Sequence, residues 1–180
     1  MSKFEFLSVL VSVMIGLGLA HLCQNVFQMA YRRRLNFVDI PLAGFTFMVL
    51  ILNWWVFYNW QTSENWAFED FLVLVLWAIS FYGLAVSLFP PDSDTGPRAG
   101  DEHRWFGGAL LVVVALDIVQ TWMRGSLLDP WYYLPFVLQY AVCAVLLIYT
   151  KNIWIKRVVS WWLFLSITLW SLVVRRYLLG

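Results

Sequence analysis

The chain has 180 residues, 62% of them hydrophobic and only 13% charged, with a formal net charge of +1. Ordinary globular domains carry about a quarter charged residues, and a soluble chain of this length could not hide so much apolar surface. The near-neutral balance gives no case for nucleic-acid binding, which needs a concentrated basic patch.

A helix crosses a hydrocarbon core of about 30 Å with roughly 20 predominantly apolar residues. Six windows meet that length, over about 5–29, 41–60, 68–89, 105–124, 131–150 and 156–175. Backbone amides cannot go unpaired in lipid, and the alternating ten-residue segments of a barrel are absent, so all six are expected to be helices. The expected fold is all-α: one transmembrane domain of six spans. Twelve Trp, eight Tyr and fourteen Phe suit a protein with two membrane interfaces.

The first window opens "MSKFEFLSVLVSVMIGLGLA", with the lysine, apolar run and small-residue end of a secretory leader. Glu5 in the would-be basic region and an apolar run that continues past Ala20 favour a first span instead. This helix has two polar faces. Glu5, Ser8, Ser12 and Gly16 form one stripe in its early turns, and His21, Gln24, Asn25 and Gln28 gather on roughly the opposite side later. Faces so poorly suited to lipid, together with the small residues of "GLGLA", point to homo-oligomerisation.

"YRRR" at 31–34 flanks that span, and the second carries Asn53 in the aromatic run "NWWVFYNW". The loop "NWQTSENWAFED" then gathers Glu64, Glu69 and Asp70 without Lys or Arg. An acidic mouth would concentrate cations. Acids in the first turn of the third span would equally complement its helix dipole. "PPDSDTGPRAGDEHR" is the longest polar connection and holds His103. Beyond it, "GALLVVVALDIVQTWMRG" sets Asp117 inside the fourth span, with Gln120, Thr121 and Arg124 within about 60° of it on the helical wheel. Gln139 lies in the fifth span, and "KNIWIKR" leads into the sixth. Cys23 and Cys143 sit in apolar runs and read as buried thiols, with no zinc-ligand spacing around them.

Depth can be counted from the basic edge shared by alternate loops. At 1.5 Å per residue, Asp117 lies ~18–20 Å from Arg104 and Trp105, His21 ~16 Å from Arg32, Asn53 ~18 Å from Pro41 and Gln139 ~18 Å from Lys151. Four helices thus offer Asp, His, Asn and Gln at one expected level. An intramembrane ionisable group is a functional-site hypothesis by default. Asn and Gln in spans also serve as interhelical glue worth only ~0.6 kcal/mol each.

Lys3, Arg124, Arg175 and Arg176 fall on the side of the termini; Arg32, Arg33, Arg34, Arg98, Arg104, Lys151, Lys156 and Arg157 fall on the other. The positive-inside bias places both termini outside. "AHLCQN" at 20–25 aligns with "LDIVQT" at 116–121, which suggests two inverted three-helix units of the kind transporters use. Catalytic motifs such as HExxH, GxSxG and the P-loop are absent, so neither an enzyme nor a cofactor is expected.

"LVSVMIGLGLAHL", the arginine cluster and the tryptophan-rich second span resemble small six-span bacterial membrane proteins with no assigned activity. The resemblance implies the bacterial cytoplasmic membrane and carries no activity across. Two functions are expected. One is an oligomeric channel or transporter for protons or cations, centred on Asp117 and His21 with Gln24, Asn25, Asn53, Gln120, Thr121 and Gln139. The other is a non-transporting membrane subunit or sensor that binds a partner protein or a lipid.

Overall fold

The computed structural model describes residues 3–32, 36–57, 67–89, 102–125 and 131–178. Within them run six helices and no strand: α1 Lys3–Tyr31, α2 Asp39–Phe57, α3 Phe68–Leu88, α4 Glu102–Met123, α5 Tyr133–Tyr149 and α6 Ile153–Leu178. Five are long and apolar enough to cross a membrane, and α5, at 17 residues, is the shorter one. It rises ~25 Å. The sequence window for it included Trp131, Tyr132 and Thr150, but Tyr132 and Thr150 are its cap residues and Trp131 lies in the turn before. Pro135 fits the first turn of α5, where a missing N–H breaks no intrahelical bond.

The helix ends are set by local chemistry. Asp70 accepts the Ala67 N–H at 3.0 Å, so this acid is occupied in capping α3. Glu69 is exposed in the same turn, and Glu64 lies outside the described residues. The Asn152 side chain accepts the Trp154 N–H at 2.9 Å and starts α6. At the end of α4, Gly125 takes φ 70° and donates to the Trp122 carbonyl at 2.8 Å, a left-handed closure that glycine adopts without strain.

The helices pack as a ring in the order α1, α3, α4, α5, α6, α2, with α2 also touching α3 across it. The interior is filled by aromatic rings. Phe45 of α2 is 1% exposed; it meets Phe106 of α4 edge-on at 6.5 Å between centroids and Tyr140 of α5 at 5.6 Å. Trp77 and Phe81 of α3 pack edge-to-face at 4.8 Å, and Phe136 of α5 stacks on Trp170 of α6 at 4.0 Å. Such pairs add about 0.5–1.5 kcal/mol each beyond burial. Exposed Trp54, Trp55, Trp122 and Trp131 cluster towards one end of the bundle, and Trp105, Trp154 and Tyr149 towards the other, as two interfacial belts require.

The two halves of the chain do not pack alike. α1 lies along α3, whereas α4 sits between α3 and α5, and no comparable α4–α6 contact exists among the described residues. Inverted three-helix units would need the second contact to mirror the first. The short match between residues 20–25 and 116–121 therefore has no counterpart in the helix packing.

Close approach depends on particular glycines. A Cβ on Gly107 would fall 2.8 Å from the Ala144 carbonyl oxygen and 2.8 Å from Ile148 Cγ1, whereas one on Gly108 would meet nothing within 4 Å. Gly107→Ala is expected to loosen α4 from α5 and cost about 1–3 kcal/mol, with Gly108→Ala near neutral. Thermal unfolding of the two variants in detergent measures the difference, and equal midpoints would contradict this packing.

Candidate polar site at Asp117

Asp117 lies more than a turn past the midpoint of α4, ~9 Å from the end of the helix at Met123 by helical rise. It is therefore nearer the termini side of the bundle than the expected mid-plane. Its carboxylate is engaged from two other helices. Trp77 of α3 donates its indole N–H to Oδ1 at 3.3 Å, and Tyr133 of α5 donates its hydroxyl to Oδ2 at 2.7 Å. An indole N–H can only donate, and a phenol has a single hydrogen. With that hydrogen given to Asp117, the 2.8 Å contact between Thr121 Oγ1 and the Tyr133 oxygen runs from threonine to phenol. Thr121, Tyr133 and Asp117 thus form a short directed chain, with the indole on the other carboxylate oxygen. Gln120, one turn on and 3% exposed, leaves its Oε1 without a hydrogen-bond partner.

The other expected members of this centre are elsewhere. His21 Nε2 lies 3.1 Å from the carbonyl oxygen of Phe89, just past the end of α3. Phe89 is twelve residues along from Trp77, so His21 and Asp117 sit ~18 Å apart in level. For His21 the depth count failed because its reference did, whereas Asn53 and Asp117 each stand fourteen residues beyond the paired Asp39 and His103 and so share a level. α1 has 29 residues, ~43 Å of helix against a ~30 Å core, so Arg32 stands well beyond the level of Arg104.

The amides are spent locally. Asn25 donates to the His21 carbonyl at 2.8 Å, and Asn53 to the Val49 carbonyl at 2.8 Å, both one turn back on their own helices. Gln139 accepts the Trp162 indole N–H at 3.3 Å, on the α5–α6 side. Gln24 is exposed. Of the eight residues expected at one centre, the structure joins Asp117 and Thr121, with Gln120 adjacent. In the early-turn stripe of α1, Ser8 bonds its own backbone at Glu5, and Ser12 accepts the Trp54 indole N–H at 3.1 Å. Gly16 is exposed with open space around it, and the close approach falls instead at Gly18, whose Cβ position lies 3.6 Å from Tyr82 Cα.

Two contacts were not foreseen. Trp77 and Tyr133 were not singled out by the sequence, yet a Trp deep in a span must place its N–H on an acceptor, and Asp117 is the acid at hand. His103 and Asp39, both 8% exposed, pair at 3.2 Å between the first turns of α4 and α2. The sequence windows began at Trp105 and Pro41 and so left both residues in loops; the helices start earlier, at Glu102 and Asp39. Cys23 and Cys143 are free thiols, the second fully buried and the first partly. No family model matches this chain, and comparison with curated proteins and with solved structures finds no similar protein.

Contact at Asp117 is measurable as coupling. Asp117→Asn and Tyr133→Phe are expected to be non-additive by about 0.5–2 kcal/mol in unfolding from detergent, as for side chains in contact. Asp117→Asn and His21→Gln should add to within about 0.5 kcal/mol. The opposite pattern would put the histidine, and not the tyrosine, against the acid.

Proposed function

We propose that this chain is a non-transporting membrane subunit that binds a partner within the bilayer. The observation that carries this reading is the state of Asp117: both carboxylate oxygens hold donors, the Trp77 indole and the Tyr133 hydroxyl. A transport site needs a group that exchanges its partners with a passing ion or proton, facing a wet path. Here the donors come from the flanking helices, so the acid ties α3, α4 and α5 together. Support comes from the ring interior, where Phe45, Phe106 and Tyr140 fill the space a conduction path would use. Further support comes from the polar groups expected to join Asp117: His21 and Gln139 are engaged at other levels by Phe89 and Trp162, and Asn53 bonds back to Val49 of its own helix.

Reconstituted into liposomes under a pH gradient, the protein is expected to leave the rate of gradient decay equal to that of empty vesicles. Asp117→Asn should change that rate no further while lowering the unfolding midpoint. Decay faster than in empty vesicles and abolished by Asp117→Asn would restore the acid to a proton path and overturn the reading.

A further inference from the structure

The outer face of α6 carries a groove of about 460 Å³ lined by Phe37, Trp154, Arg157, Val158, Trp161, Trp162 and Leu165. Its volume is that of a small-ligand pocket. One end is cationic. The Arg157 guanidinium lies 5.1 Å from the Trp154 ring centroid and 5.7 Å from that of Phe37. Its Nε is buried with no hydrogen-bond partner, and no carboxylate reaches it among the described residues. The rest of the groove is apolar and rigidly walled. Trp162 is fixed by its N–H bond to Gln139 at 3.3 Å, and Trp161 packs edge-on against Phe164 at 6.2 Å. Arg157 stands about one turn inside the start of α6, and Leu165 lies ~12 Å deeper along the helix.

We infer that this groove binds an anionic phospholipid, its phosphate on Arg157 and an acyl chain along Val158, Trp161, Trp162 and Leu165. A guanidinium matches phosphate oxygens with parallel charge-assisted N–H bonds, and no carboxylate among the described residues occupies this one. The apolar wall below it lies where hydrocarbon is the solvent, so a ligand with a charged head and an apolar tail fits both ends. A zwitterionic headgroup fits less well, because its ammonium would compete with Arg157 for the same aromatic faces. Basic pockets at the membrane edge on a helical bundle take anionic headgroups by this electrostatic logic. The inference rests on the reading of the chain as a binding subunit and names its ligand.

Native mass spectrometry of the full chain, released from detergent with added phosphatidylglycerol or phosphatidylcholine, tests it. Phosphatidylglycerol is expected to be retained preferentially. Arg157→Gln should weaken that retention about tenfold, the loss of a charge-assisted hydrogen bond. Arg157→Lys, which keeps the charge but loses the fork, should fall between. Leu165→Trp, which fills the tail end without touching the arginine, should weaken both lipids and keeps the test open if Arg157→Gln does not fold. Equal retention by wild type and Arg157→Gln would overturn the site. So would displacement of the lipid by inorganic phosphate, or a dimer of the chain that excludes lipid. A positive flux result would leave the lipid affinities where they are, and loss of lipid preference would leave the flux result unchanged, so the two readings fail separately.

Discussion

A carboxylate placed among apolar helices must find hydrogen-bond donors, because the hydrocarbon around it supplies none. Asp117 finds an indole on α3 and a phenol on α5. Both are aromatic side chains whose bodies pack as hydrophobes while their single polar hydrogen is aimed at the acid. That choice of donor fixes a good deal else. Trp77 is fully buried and holds its neighbour Phe81 edge-on, and Tyr133 must start α5 at the level of Asp117. Three helices are therefore pinned in register by one acid, with no compensating cation among the described residues. Leaving such an acid unpaired would cost more than the bonds contribute, so the triad acts chiefly as a constraint against other packings.

Aromatic packing then closes the rest of the ring. α2 packs along α6 and reaches across the interior through rings: Phe45 to Phe106 of α4, and Phe45 to Tyr140 of α5. In lipid the contact between apolar helices gains little from hydrophobicity, so shape carries it, and glycines matter where backbones meet. A Cβ at Gly44 would lie 2.8 Å from Phe164, and one at Gly107 the same distance from a backbone carbonyl. The first shows α6 seated on α2, and the second α5 seated on α4. At the opposite end of the bundle from Asp117, His103 and Asp39 join α4 to α2 across the ring.

How far the sequence could be read follows from which forces are local. The number and class of the helices were legible because span length and polar punctuation are properties of contiguous residues. The role of Asp70 at the start of α3 was legible as one of two readings, for the same reason. The polar face of α4 was legible in part: Asp117 and Thr121 do share one network through Tyr133. The alignment of levels was legible for α2 and α4, whose starts are paired through Asp39 and His103, but not for α1. It depends on how far each helix exceeds the hydrocarbon thickness, and α1 is longer than a ~30 Å core by about two turns. Nor does residue type disclose whether an amide looks across to another helix or back to its own backbone; Asn25 and Asn53 both look back. The missed donors share one cause. Tyr and Trp are so frequent in this chain that interfacial placement was the cheaper explanation for each.

The contrast between Asp117 and Arg157 bears on where partners act. The acid lies between α3 and α5 with both oxygens occupied, although neighbouring Gln120 keeps a buried Oε1 without a donor. The arginine lies on the outer face of α6, held only by aromatic faces, with a buried nitrogen still unpaired. Desolvating part of a guanidinium without an acceptor is unfavourable, and cation–π contacts offset it by about 0.5–2 kcal/mol. On the proposed reading, an anion from the surrounding membrane would neutralise the Arg157 charge, whereas an ion bound at Asp117 would have to break two hydrogen bonds first. That reading therefore places the free energy of partner binding at Arg157, on the outer face of α6, rather than at the acid.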